Sequence, residues 1–104
     1  MSDGGVAANS RSMQALQRAN HIRRARSLLK RRVADGQLAP ADVILTCPSD
    51  VVTMPIAQLL ASQPGWGDAR ARALLAQIDL REDKSIGSLT DRQRRALASL
   101  LTPN

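Results

Sequence analysis

One Trp and no Phe or Tyr stand in the 104 residues, so the fold cannot rest on an aromatic core. Hydrophobic residues still make up 43% of the chain, and most are Ala and Leu. That supply excludes a sandwich or barrel, which draws on β-branched and aromatic strands. It favours short helices packed closely through small side chains. A single cysteine, Cys47, excludes an intrachain disulfide and with it a stapled secreted scaffold. No apolar run approaches the roughly 20 residues that cross a bilayer, and the opening MSDGGVAANS lacks a signal-peptide core. A soluble cytoplasmic protein without membrane contact is expected. Length allows one small domain.

Catalytic groups are equally scarce. His21 is the one histidine, expected to be exposed, and a metal site needs further ligands. Cys47 falls in an apolar stretch and reads as a buried structural thiol. Glu82, the one glutamate, lies with Asp79 and Asp83 in a polar linker whose residues make no pocket, so solvated carboxylates are expected. No P-loop or dinucleotide fingerprint occurs. An enzyme, a cofactor and a small-molecule substrate are all unexpected.

What the chain does have is positive charge, unevenly placed. The net charge is +6, and residues 1–36 alone carry +6, against −2 for 37–64 and +2 for 65–104. A basic third on a near-neutral body suits a polyanion. A solvated helix face kept positive for solubility is the plainer alternative, though it does not call for such segregation.

Residues 1–11 are Gly-, Ser- and Asn-rich and are expected to be a disordered tail. A basic helix is expected over 12–36, closed by Asp35 and Gly36. Its apolar stripe is Ala15, Ala19, Ile22, Ala25, Leu29 and Val33. Measured from Ile22, Arg26, Lys30 and Arg23 fall at about 40°, 80° and 100° as a cationic flank. Arg24 and Arg31 fall at about 200° and 180°, toward solvent or a ligand. The remainder, 37–104, reads as a helical body. Pro40 opens a helix that Pro48 stops at Cys47, and helices follow over 56–62 and 68–78. Residues 79–89 read as irregular. Thr90 to Gln93 form a capping box for a last helix. The expected class is all-α.

Residues 56–78 hold the informative constellation. Two Leu, then Pro64, Gly65, Trp66, Gly67, Asp68, Ala69, Arg70 and Ala71, then Leu74 and Leu75, make a helix-hairpin-helix. Gly65 and Gly67 are expected to supply backbone dihedrals closed to other residues and to leave no side chain before a ligand. The amides of the turn and of the next helix then face outward at the positive end of its dipole, where a phosphate fits. Trp66 is expected to tuck inward, with stacking on a base as the alternative. Ala71 is small because the helices cross there. An ordinary helical turn is the plainer reading.

At this point the chain resembles the actinobacterial integration host factors. The resemblance rests on residues 19–26, the hairpin at 64–71, and residues 89–97, and it spans roughly 13–101. It implies a long N-terminal helix projecting from a small helical body. It implies a nucleoid-associated protein that binds duplex DNA with little sequence preference and influences its shape and phage integration. The heterodimeric enterobacterial factor of the same name, which reads DNA with β-ribbons, is unrelated in pattern. By position, Arg23, Arg24 and Arg26 match the family's phosphate-contacting arginines, and Gly67, Arg70 and Ala71 match the hairpin that grips the backbone. Gly65 and Asp68 stand where basic residues are usual. Lys84 is what remains of a basic linker, with Ser85 and Gly87 where arginines are usual. Lys30 and Arg94 complete the expected DNA contacts. The expected partner is double-stranded DNA, gripped on the backbone from the minor-groove side by a monomer in the nucleoid. The runner-up readings are a ribosomal-type RNA binder and a non-catalytic helical interaction module.

Overall fold

A left-handed Gly36, at φ 75°, ends the first helix. The Gly36 amide donates to Val33 O at 3.1 Å and that of Gln37 to Arg32 O at 2.8 Å, the paired bonds of a Schellman cap. The computed structural model describes residues 2–102, with side chains from 11 onward. Five helices follow in order: α1 Ser2–Ala34, α2 Pro40–Thr46, α3 Ile56–Ala61, α4 Asp68–Gln77 and α5 Asp91–Leu101. Single 3-10 turns lie at Ser49–Val51 and Ile86–Ser88. No strand occurs among the described residues; the nearest approach is one isolated bridge between Pro55 and Ser85.

The punctuation read from the sequence sets most of these bounds. Pro40 opens α2, and Cys47 closes it in the left-handed region at φ 45°, its amide on Val43 O. Cys47 is thus a half-buried cap residue and not a fully buried thiol within a helix. Thr90 and Gln93 form the expected capping box, with the Gln93 amide on Thr90 Oγ1 at 3.1 Å and the Thr90 amide on Gln93 Oε1 at 2.9 Å. The start of α1 differs from expectation: it lies at Ser2, inside the segment read as a disordered tail. Once a helix is nucleated, each added residue gains a hydrogen bond, so polar composition alone does not fix where it stops.

Val33, Val43, Ile44, Val51, Met54, Ile56, Leu59, Leu60, Leu75, Ile86 and Leu97 form the centre of the core. α2 packs on α5, α3 on α4, and α1 on the first 3-10 turn. Of the α1 stripe only Val33 is buried; Ala19, Ile22, Ala25 and Leu29 are half-buried and Ala15 is exposed. The stripe loses cover toward the N-terminus because the body is shorter than the helix. A helix of 33 residues is roughly 50 Å long, and the molecule measures 64 × 27 × 23 Å. α1 is an arm anchored at its C-terminal end.

The polar stretch before α5 is not loose. Its residues run beside 52–57, with the Ile56 amide on Lys84 O at 2.8 Å and the Ile86 amide on Met54 O at 3.0 Å. The Gly87 amide donates to Val52 O at 2.8 Å, and a Cβ at Gly87 would lie 2.5 Å from Val52 Cγ1 and 2.8 Å from that carbonyl oxygen. Only glycine allows so close an approach.

Candidate nucleic-acid interface

The hairpin is built from α3, α4 and the six residues between them. Buried Leu59 and Leu60 seat α3 in the core, and buried Ala71 and Leu75 seat α4. Ala71 is fully buried, so no larger residue fits where the helices meet. The Trp66 amide donates to Gln63 O at 3.1 Å, closing the turn. Gly65 takes φ 76°, the left-handed region where a glycine is favoured. Gly67 does not need that freedom. It sits at φ −121° and ψ −178°, extended backbone open to any residue, which corrects the expectation of an unusual dihedral at this position. Its place as the N-cap of α4 gives it a different part: it contributes no side chain to bond the helix amides. A Cβ at either glycine would meet nothing within 4 Å, so the face before the turn is open.

No side chain caps α4. The amides of Asp68, Ala69 and Arg70 have no backbone partner, while that of Ala71 reaches Gly67 O at 3.1 Å. Three donors at the positive end of a helix dipole thus face outward, the arrangement that receives an anion. Pro64, Gly65, Gly67, Asp68, Ala69 and Arg70 are all exposed around them. Trp66 is half-buried against the core, and the Arg70 guanidinium lies over its ring, 4.3 Å from the centroid.

The arginine helix divides in two. Arg23, Arg24 and Arg31 are exposed and, with Ser27 and Leu28, line a shallow groove of about 310 Å³ along α1. Arg31, not named among the expected DNA contacts, lies with Arg24 on the solvent side that the angles give them, and Arg23 borders the same groove. Arg26 is different. Its Nε donates to Asp50 O at 3.1 Å and its Nη2 to Thr53 Oγ1, which ties α1 to the body and gives the side chain a part within the fold. His21 is exposed, and its Nε2 lies 3.7 Å from Asp50 Oδ1. Lys30 is half-buried beside Leu29.

Arg94 also bonds within the fold. Its guanidinium donates to Ile44 O at 2.6 Å, Leu89 O at 3.1 Å and Ile86 O at 3.2 Å. Arg94, half-buried, thereby joins the end of α2 to the second 3-10 turn and the residue that follows it. Lys84 is half-buried in the segment that pairs with the first turn of α3, at the end of that helix away from the hairpin turn. Arg72 and Arg81 face Glu82 and Asp83 at 3.9 and 3.1 Å.

Among the described residues no group of three or more His, Cys, Asp or Glu is arranged to hold a metal, and no helix is long and apolar enough to cross a membrane. The fold and the hairpin together define an all-helical helix-hairpin-helix protein with a long basic arm. No protein-family model matches the sequence. The integration host factor of Mycobacterium tuberculosis is 33% identical over 85 residues, covering 80% of this chain and 81% of that protein. The integration host factor of Mycolicibacterium smegmatis is 32% identical over the same length and coverage. The chain belongs to the integration host factor family. Its fold also matches a solved structure of sIHF bound to an 8-bp palindromic DNA, with a TM-score of 0.77 at 24% identity, over 83% of this chain and 99% of that one.

Proposed function

We propose that this protein is a nucleoid-associated architectural factor that binds duplex DNA through its phosphates, without catalysis. The observation that carries the reading is the row of outward amides at Asp68, Ala69 and Arg70, set in a family whose solved relative was captured on DNA. The hairpin grips the backbone from the minor-groove side. The groove of Arg23, Arg24 and Arg31 holds a second stretch of phosphates, with Lys30 beside it. Contacts on two separate elements bend or compact the duplex by geometry, without reading base edges. DNA shaped in this way serves recombination and integration, and the protein acts in the nucleoid.

Parallel titrations of duplex DNA, structured RNA and heparin test this. Duplex DNA is expected to bind tightest, and a preference for structured RNA would overturn the DNA assignment. With Arg26 and Arg94 held by the fold, four or five phosphate contacts remain, and log affinity is expected to fall against log salt with a slope of about −4. A salt-insensitive affinity would refute the electrostatic mechanism.

A further inference from the structure

We propose that Trp66 is a positioning residue for the phosphate site: its ring holds the Arg70 guanidinium beside the free amides of α4. This rests on the DNA-binding reading above and adds to it a role for the one aromatic side chain in the protein.

The ring is partly buried against the core, and over one of its faces lies the guanidinium at 4.3 Å. The ring face under the guanidinium is therefore not open to a nucleotide base. Arg70 has no carboxylate partner among the described residues, although Asp68 stands two positions before it and Arg72, the other cation of α4, faces Glu82. Lying on a π face leaves the N–H edge of a guanidinium free, because the cation is attracted through its plane and not through its donors. Arg70 is also the residue whose own amide is one of the three outward donors. Side chain and amide are thereby presented to one anion, and an arginine already fixed in place loses less rotamer freedom when that anion arrives.

Two measurements test this, both on the intact protein with a duplex DNA. In the first, affinity is compared across Trp66→Leu, Trp66→Phe, Arg70→Ala and the double variant Trp66→Leu with Arg70→Ala. Trp66→Leu is expected to weaken binding about two- to five-fold, Trp66→Phe to restore most of it, and Trp66→Leu to have no further effect once Arg70 is Ala. Equal losses from Trp66→Leu with and without Arg70 would overturn the proposal and leave Trp66 a core pin. In the second, Trp66 fluorescence is followed during DNA titration, which needs no change to the core. Phosphate bound to the guanidinium while it stays over the ring is expected to shift the emission in the wild type and not in Arg70→Ala. A shift that persists in Arg70→Ala would mean that the indole itself touches DNA, and would also overturn the proposal. If the wild type binds no duplex DNA at low salt, the functional reading fails outright, a result distinct from binding with additive variants.

Discussion

α1 offers Arg23, Arg24 and Arg31 on long stems along an exposed groove, whereas the hairpin offers three backbone amides and one arginine pinned on an indole. The first surface is made of mobile charge and the second of fixed dipoles. A cation on a flexible stem follows a phosphate wherever it lies, and its attraction is screened by salt. An amide row accepts a phosphate at one place and depends on the backbone that aims it. In the proposed function the hairpin sets where the duplex sits, and the helix adds affinity on top.

The sharpest way to break this division is Arg94, a cation that belongs to neither surface. Arg94→Ala leaves three carbonyls without their charged donor and is expected to cost about 2–3 kcal/mol, lowering Tm by roughly 10–20 °C. Affinity per folded molecule, from DNA titration well below the melt, is expected to hold. A large loss of affinity at unchanged Tm would return Arg94 to the interface.

Gly65→Val comes next. A β-branched residue at φ 76° is expected to lose about 1–3 kcal/mol of stability in a thermal melt and to weaken DNA binding without removing any charge. Arg23→Ala with Arg24→Ala is expected to do the opposite. Tm stays, because both side chains are exposed, and the salt slope flattens by about 0.9 for each lost contact. If that pair lowered Tm with the slope intact, α1 would be structural and the two surfaces would collapse to one.

The smallest effect on stability is expected from Gly67→Ala. Its extended backbone admits Ala, and the lost glycine entropy in the unfolded chain offsets a poorer N-cap, each by about 0.5–1 kcal/mol. A destabilisation as large as that of Gly65→Val would show that the two glycines are equivalent after all.

That contrast between glycines marks how far the sequence could be read. Residues that act on their own neighbours were legible: Gly36 ends α1, Pro40 opens α2, and Thr90 with Gln93 caps α5. Ala71 was legible too, because a small residue four places after the turn has one use in a helix crossing. A Gly-Trp-Gly pattern, however, does not say which glycine takes the left-handed dihedral. Arg94 was illegible for a stronger reason, since one of its acceptors, Ile44 O, lies 50 residues away. Arg26 likewise reaches 24 and 27 residues along the chain. An arginine's sequence position cannot tell a phosphate from a distant carbonyl. The polar run at 79–89 suggested freedom, and backbone bonds to residues 52–57 removed it.

The contact between Gly87 and Val52 also constrains how this protein can change over generations. Glycine at position 87 lets its amide meet Val52 O at 2.8 Å, and the same approach closes the space a side chain would need. A long basic residue placed there meets both the Val52 methyl and its carbonyl oxygen. Trimming Val52 relieves the first clash and not the second, because the second is main chain. A cation cannot be placed at 87 by one substitution, nor by two at these sites, unless the segment is rebuilt. Position 87 is closed to charge, and any new cation on this protein has to arise elsewhere.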